Sequence, residues 1–157
     1  MAYSPPNAGR TTGEVITASI WNQDVANNML AAVTSFQPLQ LSFIFDGGGG
    51  VIAVNTKIYC PYKLPTFTIS EWEIETDVTG SIQFDIWSDT YANYPPTVAD
   101  TIVASDHPLL SAANHGSGTA LTGWTTTIAK DNTLVANVDS CGTITKATLT
   151  LYGKRAL

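Results

Sequence analysis

The chain has 157 residues, enough to bury the core of one domain and too few for two. Apolar residues make up 44% and charged residues only 13%, which excludes a disordered or highly charged solvated chain. A net charge of −6 with seven scattered basic residues excludes a sequence-independent grip on nucleic acid, which needs concentrated Lys and Arg.

The start, MAYSPPNAGRTTGE, has neither the basic nor the hydrophobic part of a signal peptide, and no run of about eighteen apolar residues follows. The expectation is a protein made in a cytoplasm and not inserted in a membrane. Pro5, Pro6 and Gly9 make the segment up to Gly13 an extended arm. Thr17 is then a candidate N-cap, and Trp21, Val25, Met29 and Ala32 recur at helical spacing, with Ile20, Leu30 and Val33 widening the stripe. This predicts one helix over residues 18–34. A helix this short has little stability alone, so its stripe must pack on the body, on symmetry mates or on another protein. Trp21, Val25 and Met29 are its candidate attachment residues. The chain therefore divides into an arm and attachment helix, residues 1–37, and a β domain, residues 38–157.

After Pro38 the period changes to two. Leu41, Phe43 and Phe45 alternate with polar residues up to Asp46 and four glycines, and VIAVNTKIY is expected to return as the second strand of a hairpin. Pro61 and Pro65 exclude a long central strand there. Between Phe67 and Thr76, Trp72 and Ile74 face one way and Glu71, Glu73 and Glu75 the other. A turn at Val78-Thr79-Gly80 is expected to lead into a second hairpin strand with Ile82, Phe84 and Ile86 on one face. Residues 88–110 carry two adjacent prolines, three aspartates and the apolar pair Ile102-Val103, which suits a long ordered connection crossing between sheets. Three more strands are expected near 118–122, 133–139 and 143–152, with Asp131-Asn132 and Ser140-Cys141-Gly142 as turns. About eight short strands without intervening helices predict an all-β, antiparallel, jelly-roll-like sandwich.

Several residue groups invite a chemical reading. Glu71, Glu73 and Glu75 resemble a carboxylate set, but a glycosidase pair must face a sugar from two sides, and alternation along one strand reads as a solvated face. Asp85, Asp89, Asp100 and Asp106 include possible calcium ligands, yet without EF-hand spacing they read as turn caps. His107 and His115 lack a GxSxG-type nucleophile turn and read as loop residues. The glycines at 47–50 lack the following Lys-Ser or Lys-Thr of a phosphate loop. Cys60 and Cys141 form no CxxC pair, so zinc is not expected and two free half-buried thiols are. No catalytic, metal-binding or cofactor-binding residue is assigned, and the protein is expected not to be an enzyme. Trp87, Tyr91, Tyr94 and Trp124 either pack core and seams or form a platform for sugars. Tyr91, Tyr94 and Trp124 are the candidate glycan-binding residues.

Three stretches, GEVITASIWNQDVANNM, FDGGGGVI, and SIQFDIWSDTYANYPPTVADTI with LTGWTTTIAKDNTLVANVDSCGTITKATLTL, resemble a group of tailed-bacteriophage virion proteins, capsid-decoration and tail-fibre-like, with a Trp-Asn-containing N-terminal helix and a C-terminal β-domain. The similarity covers most of the chain. Matching positions are Trp21 and Asn22, Asp46 to Gly50, Asp85 to Pro96, and Leu121 to Trp124. The resemblance implies a virion structural protein, assembled in the host cytoplasm and displayed on the particle surface, as a head decoration or short surface fibre. The alternative it implies is a tail-fibre module that recognises host glycans. A capsid or tail protein would be the partner, and self-association as a trimer follows by fold-level analogy.

Overall fold

Extended backbone does not stop where a turn is expected. Phe67–Thr90 form a single strand of 24 residues in the structure, a computed structural model that describes residues 38–155. Contacts divide the chain between Gln37 and Pro38, and the described residues lie in the second unit. Their strands are β1 (Pro38–Asp46), β2 (Lys57–Pro61), β3 (Phe67–Thr90), β4 (Leu109–Gly118), β5 (Thr127–Ile128), β6 (Asn132–Cys141) and β7 (Lys146–Arg155).

The long strand organises the others. Along one edge of β3, β7 pairs with its first arm, from Phe67↔Arg155 to Thr76↔Ala147, and β6 with its second, from Ile82↔Cys141 to Thr90↔Asn132. Along the other edge run β5 and β4. Strands β6 and β7 are thus two halves of one antiparallel mate, joined by residues 142–145 beside the place where β3 bends. Beyond them β1 pairs with β7 and β2 with β6, giving the order β1-β7-β3-β6-β2.

At the bend the side chains of the connection pack directly on the Gly80 backbone. A Cβ on Gly80 would lie 2.7 Å from Thr143 Oγ1 and 2.8 Å from Ile144 Cγ1, so only glycine lets the connection come this near. Asp77 caps the same connection: Oδ1 accepts from the backbone N–H groups of Thr145 (3.2 Å) and Lys146 (3.0 Å), and Oδ2 accepts from the Thr145 hydroxyl. Gly142 N donates to Ser81 O at 2.8 Å, and Thr143 Oγ1 donates to Thr79 O at 3.1 Å.

Bending brings the two arms of the sheet together over one core. Phe43, Phe45, Ile74, Leu149 and Leu151 from the first arm share a cluster with Ile82, Phe84, Ile86, Leu134, Ala136 and Val138 from the second. The rings of Phe45 and Phe84 are 4.9 Å apart. Each such fully buried apolar side chain contributes about 1.5–3 kcal/mol relative to exposure.

Among the described residues the all-β, antiparallel expectation holds. The jelly-roll-like pair of sheets is replaced by one hydrogen-bonded sheet that curls on itself. Both expected hairpins are corrected as well. Gly80 serves as a close-approach residue in a continuous strand instead of a turn residue. Residues 51–56 do not pair with β1, because Gly48 and Gly49 take φ of +64° and +92° in a loop that follows the β6–β7 connection. Gly47 N donates to Thr145 O and Ile52 N to Ile144 O, and β1 takes β7 as its partner. The strand expected at 118–122 lies earlier, at β4, and the 88–110 connection is ordered with Ile102 and Val103 buried.

Asp77 is held below the ordinary carboxylate range, first by the Thr145 hydroxyl and then by the Lys146 amide. A depressed folded-state pKa contributes stability that is fully present above the unfolded value of about 3.9 and is lost as pH falls through the folded one. Asp77→Asn is therefore expected to lower the urea midpoint at neutral pH and to flatten its fall on acidification below about pH 4. Parallel wild-type and variant curves would contradict the cap.

Candidate functional site

The core-facing residues of the second arm, Phe84, Ile86, Ala136 and Val138, leave their alternates on the opposite face. There Asp85 stands opposite Asn137, and Lys57 of β2 opposite the same Asn137. In β6, Ser140 pairs with Gln83 and Val138 with Phe84, so Asp139 is the extra residue of a β-bulge. Bulges re-aim side chains, and this one sets Asp139 beside Asn137, whose Nδ2 donates to Asp139 Oδ1 at 2.8 Å.

The 91–107 connection covers this face. Thr97 and Asp100 form a capping box around the short turn Val98–Asp100, with Asp100 Oδ2 accepting from Thr97 N at 2.7 Å and Thr97 Oγ1 at 2.9 Å. Thr101 then bridges to Trp87, and its hydroxyl donates to Asp85 Oδ1 at 2.5 Å. Asp85, 4% exposed, accepts a second bond at Oδ2 from Trp87 Nε1 at 2.6 Å. His107 closes the end of the connection, its Nδ1 lying 3.2 Å from Phe84 O and 3.4 Å from Asp139 Oδ2. One ligand atom each from Asp85, His107 and Asp139 falls within 4.8 Å of the others. Asn137 is 3% exposed, and its Oδ1 accepts no hydrogen bond.

Beside this group opens a cleft of about 550 Å³, walled by Lys57, Tyr59, Trp87 and Pro95 with Asn137 and Asp139 also on its surface. Lys57 Nζ sits 5.4 Å from the Trp87 ring centre. Tyr59 of the cleft wall is 42% exposed, and it leads to Tyr94 and Tyr91, 53% and 67% exposed, with Tyr94 5.8 Å from Tyr59 and 6.3 Å from Tyr91 between ring centres. Lys63 lies over Tyr91.

Of the candidate sugar-stacking residues, Tyr91 and Tyr94 share a surface and Trp124 does not. Trp124 is in the core cluster at 9% exposure, and its Nε1 donates to Asp106 O at 2.7 Å, so it is corrected from a platform residue to a packing residue. Trp87 is likewise buried. Tyr59 was not singled out from sequence, although its alternation with Ile58 and Cys60 places it on the outward side of β2. Trp21, Val25 and Met29 lie outside the described residues.

The four aspartates read as possible calcium ligands do not converge. Asp89 accepts from Thr90 N and Asn93 Nδ2, Asp100 caps its own turn, and Asp106 accepts from Thr122 N, while Asp85 alone joins the His107 and Asp139 group. Glu71, Glu73 and Glu75 line the other arm, where Tyr152 donates to Glu73 Oε2 at 2.8 Å and its phenol is pushed up by that bond. His115 bonds the Asn114 side chain on the surface. Cys60 and Cys141 are free, and burial pushes both thiols up.

No family model matches the sequence, and no curated protein does. Among solved structures, the Tobacco streak virus coat protein dimer matches at 11% identity over 78% of this chain and 88% of that one, with a TM-score of 0.33. A structure of infectious bursal disease virus, Gx strain, matches at 16% identity over 76% of this chain and 34% of that one, with a TM-score of 0.20. Both are viral by description, and scores this low carry no functional assignment.

Asp85 ties the connection to the sheet through two donors. Asp85→Ala leaves the buried Trp87 N–H without a partner, and is expected to cost about 2–3 kcal/mol in a urea titration. A loss below about 1 kcal/mol would show that the connection is held by its apolar contacts alone.

Proposed function

We propose that this chain is a non-enzymatic structural protein of a tailed-phage particle, a head decoration or short surface fibre, attached through its first 37 residues and displaying the curled β domain. The observation that carries this reading is the outer edge of β1. Among the described residues β1 is paired on one side only, by β7, and its side chain Ile44 is 70% exposed. A regular nine-residue edge of this kind is a template for pairing with another chain, which proteins otherwise blunt with bulges or charges. The sequence resemblance to phage virion proteins supports the same reading, and self-association, as a trimer, fits a domain with an open edge. The glutamates of β3 stand along a single strand instead of facing each other across a cleft, which favours a role without catalysis.

Attachment is assigned to Trp21, Val25 and Met29, since aromatic anchors commonly dominate interfaces. Trp21→Ala is expected to weaken attachment by about 2 kcal/mol or more. The measurement is copies per purified particle by quantitative mass spectrometry, with immunogold labelling to locate them. Unchanged occupancy would contradict the assignment.

A second reading, recognition of host-surface glycans, is favoured by the exposed tyrosine rim. Flat aromatic faces beside Lys57 and Asp139 suit the apolar and hydroxylated sides of a sugar, and many copies on one particle would convert weak binding into avidity. Particles carrying Tyr91→Ala and Tyr94→Ala are expected to lose signals on a glycan array that wild-type particles give. Silence from wild-type particles would remove this reading and leave the structural one intact.

A further inference from the structure

We propose that Asp85, Asn137, Asp139 and His107 together bind one divalent transition-metal ion of the Mn²⁺ or Zn²⁺ kind. The group combines two carboxylates with an imidazole, and three of its donor atoms already lie within 4.8 Å of one another. With metal–ligand bonds of about 2.0–2.2 Å, neighbouring donors around one ion stand about 3–3.5 Å apart, so the side chains must draw together by about an ångström to close on it.

The independent observation is the Asn137 carboxamide. Its residue is 97% buried, being 3% exposed, and its oxygen accepts nothing. Buried polar atoms without a partner are rare and call for a cause. Asn137 stands opposite Asp85 in the strand register and two residues before Asp139 on the same face, with its nitrogen turned to the Asp139 carboxylate. The orphan oxygen thus belongs to a side chain that already bonds one carboxylate of the group and stands opposite the other in register, and an ion held there would give it a partner. A His–Asp ion pair with Asp85 as a turn cap accounts for the three titratable residues but leaves this oxygen unexplained. A cation accounts for all four.

The surroundings match what first ligands need from their neighbours. Trp87 Nε1 and the Thr101 hydroxyl fix both oxygens of Asp85 while leaving lone pairs. The bulge at Asp139 delivers the second carboxylate to a place that regular pairing would not. The cleft, with Asn137 and Asp139 on its surface, gives an entry path. Carboxylate and amide oxygens with one imidazole suit Mn²⁺ or Zn²⁺ better than the all-oxygen sets of Ca²⁺ and Mg²⁺.

The test uses the full chain, stripped with EDTA and titrated calorimetrically with MnCl₂ and with ZnCl₂. One equivalent of at least one ion is expected to bind saturably. Asp139→Asn and His107→Gln, both at partly exposed positions, are expected to weaken that binding at least about tenfold while melting as wild type does in EDTA. Asp100→Asn, which changes an aspartate of the covering turn outside the group, is expected to bind as wild type. Electron spin-echo spectra of the Mn²⁺-loaded wild type are expected to show one histidine nitrogen, a readout that needs no variant. Absence of saturable binding by either ion up to millimolar concentration would overturn the proposal. So would full binding by Asp139→Asn, which would place the ion elsewhere, for instance at Cys60 or Cys141.

Discussion

Everything in the described domain depends on one corner, where β3 bends and the β6–β7 connection passes over it. Gly80 has no side chain to collide with those of Thr143 and Ile144, and Asp77 binds three donors of the passing segment. A β-branched or bulky residue at either place would separate the segments, and the strand would have no reason to change partners from β7 to β6. With the corner formed, one long ribbon closes over a single core and both arms share the Phe45–Phe84 contact. The glycine loop after β1 is held by the same connection, through Thr145 and Ile144. Three segments distant in sequence therefore meet at one backbone crossing.

The candidate site inherits its geometry from that crossing. The register of β6 on β3 runs outward from Cys141 opposite Ile82, next to the corner, and the bulge at Asp139 follows one pair later. A slip of one residue would turn Asn137 and Asp139 into the core and Ala136 and Val138 to the surface. The covering connection adds Thr101 and His107, so the four polar groups come from two strands and a loop. The tyrosine rim is built on the same arm, from β2 and the start of the connection, which puts metal-type and stacking-type chemistry on one side of the domain.

Much of this was legible in the sequence where a single segment carries its own signal. The alternation of Leu41, Phe43 and Phe45, of Trp72 and Ile74, and of Ile82, Phe84 and Ile86 identified strands and their core faces, because period two reports burial directly. The hairpins failed for a different reason. Glycine marks turns and close backbone approaches alike, and only the partner segment distinguishes them. Strand β4 was hidden because LLSAANHGSG lacks an apolar alternation, its position being set by the free edge of β3. Trp124 could not be separated from Tyr91 and Tyr94 by composition, since all three are aromatics near turns. The Asp85, Asn137, Asp139 and His107 group was invisible because a bulge exists only relative to a partner's register.

The corner forms with the fold as a whole and is not a local ornament on it. Native-state hydrogen exchange on the full chain measures this directly, through the amides of Ile52, Gly142 and Thr145 at the corner compared with those of Trp87 and Val135 in mid-sheet. Equal protection, lost only on global unfolding, is the expected result. Corner amides that exchange through local opening while the mid-sheet amides stay protected would show that the two arms hold together without it.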